Sequence, residues 1–243
     1  MLFRSPYALW CHNRQQVHLV THGDVTVFMV GHAYDPFNMS SDEDEILARV
    51  AAGLEGSTDQ GLAVINALTG VFFVGWLVDG ELRFMLDASG MQYACYGVID
   101  GKLYITSHMQ LVGDICGLDQ DDYVKRLKSY RWYPLMMGNY LPGDLTAFKE
   151  LKRVIPNTFV EYRNQAFRIK RFFPASSVEQ CSTEAEYQEV VAEGARILRN
   201  TMALIAEKWQ RPAISLTGGV DSGTTFAAAN GLYDKFTAFT YVA

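Results

Sequence analysis

The sequence predicts an α+β chain in two parts: an antiparallel sheet region over residues 1–174, then the opening of a parallel α/β domain over 183–243. Three observations carry this. Between Val17 and Ile169, short apolar runs alternate with tight-turn signals. The stretch Pro174–Ser182 is small and polar and reads as a linker. Beyond it the pattern changes to strand, glycine-rich loop, helix and strand.

The elements follow in order. Apolar alternation from Val17 to Val30 turns at His22-Gly23-Asp24, which predicts a hairpin. The acidic run Ser40–Glu45 precedes Ile46, Leu47, Val50, Ala51 and Leu54 at helical spacing. Acidic side chains complement the partial positive charge of a helix N-terminus, so the run is read as a helix start that needs no metal. Leu68–Val78 is β-rich and ends in Asp79-Gly80; Leu82–Leu86 continues it into the turn Asp87–Gly90. Val98-Ile99, Asp100-Gly101 and Leu103–Thr106 form a further hairpin, and Asp119–Tyr130 a short helix with Tyr123, Val124 and Leu127 on one face. A last hairpin joins Phe159-Val160 to Phe167–Ile169. Thr183 and Glu186 form a capping box for a helix of about seven turns. Its apolar face is Tyr187, Val190, Val191, Gly194, Ile197, Leu198, Met202, Ile205 and Trp209. Ala213–Leu216 is then a strand, Ser222–Asn230 a helix and Phe236–Val242 a second strand. A parallel sheet has barely begun at that point, so the second domain reads as incomplete.

Composition narrows the class. Hydrophobic residues make up 49% of 243 and charged residues 20%, the balance of a globular protein with a sizeable core. The net charge of −6 argues against a nucleic-acid surface, and the short basic patch Lys149, Lys152, Arg153 reads as a solvated face. No apolar run reaches the length of a membrane span, and no signal peptide is read, so a cytoplasmic setting without a membrane partner is expected. The four scattered cysteines, Cys11, Cys95, Cys116 and Cys181, are then expected as small core residues.

The chemistry concentrates at Ser215-Leu216-Thr217-Gly218-Gly219-Val220-Asp221-Ser222. A loop running from a strand into a helix presents unpaired amides to an anion. Gly218 and Gly219 let a phosphate approach the backbone, and Thr217 and Ser222 offer hydroxyls. Asp221 beside phosphate needs a cation between them, which points to Mg²⁺. The loop has neither the lysine of a Walker A motif nor the spacing G-x-G-x-x-G. Read from spacing alone, it could also be a Gly-Gly turn capped by Asp221 and Ser222.

T-G-G-V-D-S resembles the S-G-G-x-D-S pyrophosphate loop of the ATP pyrophosphatases. What precedes it is similar to the asparagine synthetase type. L-T-G-V-F-F-V-G-W at 68–76, M-L-D-A-S-G at 85–90, Y-I-T-S at 104–107 and Thr146–Asn157 carry that likeness. The resemblance implies a class II glutaminase-like (Ntn-type) antiparallel sandwich ahead of an adenine nucleotide α-hydrolase-like domain. It implies ATP and Mg²⁺ as cofactors, with Leu216, Thr217, Gly218, Gly219, Asp221, Ser222 and Tyr241 binding nucleotide and Asp221 the metal. Adenine would lie beside Leu216 and Tyr241. The implied reaction adenylates a small-molecule or peptide carboxylate, releases pyrophosphate and forms an amide with ammonia or a substrate amine. A homodimer is left open.

The chain departs from that family at Leu2, where the family's nucleophilic cysteine would stand, and V-G-H-A-Y-D-P at 30–36 replaces its oxyanion-loop motif. Glutaminase activity is therefore expected to be absent, and no catalytic residue is assigned in the first domain. Neither Cys11 with His12 nor His32 with Asp35 reads as a catalytic pair, because near neighbours along a strand do not converge. Other readings stay open: a non-catalytic nucleotide-binding or assembly module, or a truncated inactive fragment of such an enzyme; a tRNA-thiolating relative would share the loop, but the sandwich ahead of it argues against that.

Overall fold

The computed structural model describes residues 7–138, 140–174 and 180–241. In chain order, β1 (Val17–His22) and β2 (Val25–Tyr34) lead to α1 (Glu43–Gly56) and α2 (Thr58–Asn66). Four strands follow: β3 (Thr69–Val78), β4 (Glu81–Leu86), β5 (Cys95–Ile99) and β6 (Lys102–Thr106). Helices α3 (Met109–Cys116), α4 (Asp122–Ser129) and α5 (Tyr133–Met137) precede β7 (Lys152–Arg153), β8 (Thr158–Arg163) and β9 (Ala166–Arg171). The last part holds α6 (Glu184–Lys208), β10 (Ala213–Ser215), α7 (Val220–Ala228) and β11 (Thr237–Phe239). The chain divides into two compact units, Met1–Gly31 with Val71–Ala175 and His32–Gly70 with Ser176–Ala243.

The strands form a six-stranded sheet in the order β1-β2-β3-β4-β8-β9 and a three-stranded sheet β6-β5-β7. The pairs β1–β2, β3–β4, β4–β8 and β8–β9 are antiparallel, as is the smaller sheet. The antiparallel architecture expected from the turn signals is therefore present. Asp79 and Gly80 carry φ of 52° and 75°, and Asp100 and Gly101 carry 50° and 75°. Two successive left-handed residues match the right-handed twist of the flanking strands, which is why Asp-Gly closes both hairpins.

One core of the first unit lies between the two sheets. Phe28, Phe73, Phe84, Val160 and Tyr162 from the larger sheet meet Tyr96 from the smaller one and Val154, the residue after β7. Phe84 and Tyr96 meet edge to face with centroids 5.4 Å apart, a geometry that adds to burial of the rings. A second cluster packs Val112 of α3 against Ile99, Phe148 and Leu151. Thr146 fixes the turn that supplies Phe148. Its Oγ1 lies 2.8 Å from the carbonyl oxygens of Phe148 and Leu151 and accepts from the Phe148 amide. The Thr146–Asn157 segment thus shapes this core, and Arg153 donates to the Leu141 and Gly143 carbonyls.

In the second unit, Asp42 caps α1 by accepting from the amides of Asp44 and Glu45, so the acidic run is a helix start as expected. Thr183 and Glu186 form the expected capping box of α6. The C-terminal half of α6 is tied to 34–43 by polar contacts. Asn200 donates to the Pro36 carbonyl at 2.7 Å, and the Trp209 indole to the Tyr34 hydroxyl at 2.6 Å. Lys208 donates to the Ser41 carbonyl and to the buried Glu43 carboxylate.

Several expectations need correction. Cys95 is buried and Cys116 half-buried, but Cys11 and Cys181 are exposed, and all four are free. Of the expected apolar face of α6, Met202 is buried whereas Tyr187, Val190, Val191 and Leu198 lie in solvent. On α4 only Val124 is buried, and Tyr123 is exposed. Helix α7 begins two residues earlier than expected, with Gly219 as its N-cap. The last strand is shorter, ending at Phe239. Leu2, Val242 and most of the linker lie outside the described residues.

Candidate functional site

β10 pairs in parallel with β11, Ala213 opposite Thr237 and Ser215 opposite Phe239, and the Leu216 amide extends the ladder to the Phe239 carbonyl. The chain then leaves the sheet at Thr217 and enters α7 at Val220. The apolar side chains Ile214, Met202 and Ala229 form the local core beneath, flanked by Ile205 and Phe236.

Ser222 sets the shape of the loop. Its Oγ lies 2.9 Å from Thr217 Oγ1 and accepts from the Thr217 amide at 3.0 Å. The same oxygen is 3.2 Å from the carbonyls of Thr217 and Gly219. The Gly219 amide donates to Thr217 Oγ1, and Thr225 Oγ1 donates to the Asp221 carbonyl. The two hydroxyls expected to face a ligand thus also hold the loop closed. No side-chain hydrogen bond caps α7 at Gly219, so the amides of its first turn lack the partner that an N-cap side chain would supply. Gly218 sits in open space, where even a Cβ would meet nothing within 4 Å.

A cleft of about 430 Å³ opens above this loop, with an apolar wall of Met202, Ile205, Ile214 and Phe236. Its polar side is Ser215, Thr217, Gly219, Asp221, Ser222 and Thr225. That volume falls in the range of small-molecule sites. Of the expected nucleotide-binding residues, Thr217, Gly219, Asp221 and Ser222 line the cleft, and Gly218 lies between two of them. Leu216 and Tyr241 are not among the lining residues; Tyr241 is 73% exposed and stands edge-on to Phe239. Met202, Ile205, Thr225 and Phe236 were not assigned from sequence. Thr225 was within reach of that reading, because it lies one helical turn after Asp221.

Asp221 is exposed and stands in the first turn of α7. Among the described residues no group of three or more His, Cys, Asp or Glu side chains could hold a metal. A lone carboxylate keeps Mg²⁺ only when phosphate oxygens and water complete its octahedral shell. Amides, two hydroxyls and one carboxylate at a helix N-terminus form a donor set that fits a magnesium-bound polyphosphate rather than a bare metal.

The other candidate pairs are structural. His12 Nδ1 accepts from the Arg14 amide at 3.2 Å, and although Cys11 is exposed, partial desolvation raises the pKa of its thiol. Asp35 is buried and accepts from the amides of Phe37 and Asn38, the Asn38 side chain and the Arg49 guanidinium. It pins a turn. His32 stacks edge-on against Trp209, with ring centroids 4.7 Å apart.

No family model matches this chain. No curated protein matches it either. Among solved structures it is similar to the glutamine phosphoribosylpyrophosphate amidotransferase of B. subtilis complexed with ADP and GMP. There the identity is 10% and the TM-score 0.39, over 93% of this chain and 47% of that one. It is also similar to a structure described as the allosteric regulatory enzyme of purine biosynthesis, with 11% identity, a TM-score of 0.41 and coverage of 93% and 48%. The chain thus spans about half the length of either. Superpositions this loose fix no residue-to-residue correspondence, so no role is transferred from them. Among the described residues, no helix is long and apolar enough to cross a membrane.

Proposed function

We propose that the chain carries the phosphate-binding part of an ATP-dependent amide-forming enzyme of the asparagine synthetase kind. Such an enzyme activates a small-molecule or peptide carboxylate as an acyl-adenylate and releases pyrophosphate. The observation that carries this reading is the loop 217–222. It leaves a parallel strand, passes two glycines and enters α7 with no side chain capping the helix amides. The antiparallel sandwich ahead of it supports an Ntn-type, glutaminase-like first domain, in keeping with the sequence resemblance.

In this reading the α7 amides and Gly218–Gly219 hold the pyrophosphate portion of ATP, as helix N-termini hold anions generally. Asp221 holds Mg²⁺, which when bound neutralises charge that would otherwise oppose departure of pyrophosphate. Thr217 and Ser222 keep the loop in its receptive shape. Met202, Ile205 and Phe236 supply the apolar wall that excludes water from one side of the cleft. Cys11 is not read as a glutaminase nucleophile, because its amine is part of a peptide bond and His12 Nδ1 is engaged by the Arg14 amide. The nitrogen then comes from ammonia or a substrate amine.

Product analysis tests the proposal. With ATP, Mg²⁺, ammonia and a panel of carboxylates beginning with aspartate, the expected product is carboxylate-dependent pyrophosphate. Orthophosphate as product would overturn it. A second reading, a nucleotide-binding module without catalysis, is favoured by the single carboxylate at the site. Saturable ATP binding with no product from any carboxylate would select that reading.

A further inference from the structure

The cleft beside the 217–222 loop has two unlike sides, and phosphate binding uses only one of them. The polar side is the loop with Asp221 and Thr225 of α7. The other side is Met202 and Ile205 of α6, Ile214 of β10 and Phe236 ahead of β11. Met202 and Ile205 share one face of their helix and pack with Ile214 and Phe236 into a single cluster. Met202 and Ile214 are 6% and 4% exposed and form its base. Ile205 and Phe236 are half-buried, so each keeps apolar surface turned to the cleft.

The proposed reaction determines which part of the substrate meets that wall. A carboxylate oxygen bonds to the α-phosphorus of ATP while the bond from that phosphorus to the bridging oxygen breaks. The electrons of the broken bond leave with pyrophosphate. Such a displacement runs in line, so the carboxylate attacks from the side opposite the departing group. With pyrophosphate held at the loop, the acyl chain extends into the part of the cleft that the loop does not fill. Ammonia or an amine then bonds to the acyl carbon, AMP leaves with the C–O electrons, and the surplus proton passes to solvent.

We infer that the carboxylate activated here carries an uncharged, apolar chain, seated on Ile205 and Phe236 over Met202 and Ile214. The inference rests on the reading of 217–222 as a pyrophosphate-releasing loop. Each methylene laid on the wall leaves water, which favours longer chains. A second carboxylate on the substrate would enter beside Asp221 and a polyphosphate, where partial enclosure strengthens repulsion between like charges. A purine suits the wall less well. Its ring nitrogens and amine need hydrogen-bond partners, and these apolar side chains supply no strong one.

Pyrophosphate release by the 243-residue chain with ATP, Mg²⁺ and ammonia, compared across acetate, butanoate, hexanoate and aspartate, tests this. From acetate to hexanoate, kcat/KM is expected to rise about fourfold per methylene, with aspartate below butanoate, its four-carbon counterpart. Phe236→Ser should lower the hexanoate-to-acetate ratio about tenfold, and Phe236→Leu should restore most of it. Release that is flat across the series, or fastest with aspartate, would overturn the inference and leave the proposed adenylation standing. No pyrophosphate from any carboxylate would remove that adenylation and the inference with it. If Phe236→Ser weakened ATP binding in calorimetry yet kept the wild-type carboxylate ratio, the wall would belong to the purine, and the inference would fall.

Discussion

At the scale of single residues, the second unit depends on one buried charge pair. Glu43 is 4% exposed, accepts from the Ala33 amide and from Lys208, and faces His32 Nδ1 at 3.8 Å. Removing Lys208 would leave that carboxylate buried without its ammonium, and truncating one partner of a buried pair is far costlier than replacing both. Lys208→Met is therefore expected to destabilise the protein by about 3 kcal/mol, read from the urea midpoint. The double change Lys208→Met with Glu43→Leu should recover most of that loss. Full stability in the single variant would show that the pair contributes nothing. Ser222 teaches a related lesson. Its hydroxyl was legible as a phosphate donor from residue type, yet the same atom holds the loop closed through Thr217, a contact that no spacing rule reveals.

At the scale of elements, the sequence read turns better than faces. Asp79-Gly80 and Asp100-Gly101 announced their hairpins because Gly and Asp tolerate positive φ. The β8–β9 turn carries the same left-handed pair at Asn164 and Gln165, with φ of 51° and 60°, and had no glycine to mark it. Periodicity marked α6 as a helix with an apolar stripe, but of that stripe only Met202 is buried, since spacing says nothing of what packs there. The apolar wall of the cleft was missed for that reason: Met202 and Ile205 on α6 and Phe236 near β11 converge only through the fold. β2 and β3 hold a further constraint. Gly31 has φ 116°, and a Cβ there would lie 2.2 Å from the Val71 carbonyl oxygen. Backbone cannot yield as a side-chain tip can, so Gly31→Ala should cost about 3 kcal/mol or more in equilibrium unfolding. A loss below about 0.5 kcal/mol, the scatter of surface substitutions, would contradict this geometry.

At the scale of the whole molecule, buried phenols set an alkaline limit. Burial, helped by the Asp144 carboxylate and the Cys95 thiol, pushes Tyr96 from 10.0 up to about 12. Burial and the neighbouring Cys95 raise Tyr93 as well. The folded protein thus favours the protonated phenols. The Tyr96 contribution is fully present below pH 10 and is lost as pH rises through about 12. Tyr96→Phe should flatten the fall of stability across that window, and an unchanged slope would remove Tyr96 as its source. The acidic surface and the loop chemistry belong to the same scale, because an anionic nucleotide must find its local positive field on a chain of net charge −6. In the proposed function that field is supplied by the N-terminus of α7. Calorimetric titration of the 243-residue chain with ATP, with and without Mg²⁺, tests this claim most directly. The account predicts saturable binding that needs Mg²⁺, is displaced by pyrophosphate and weakens about tenfold in Asp221→Asn. Absence of saturable heat, or equal affinity for the wild type and Asp221→Asn, would contradict it.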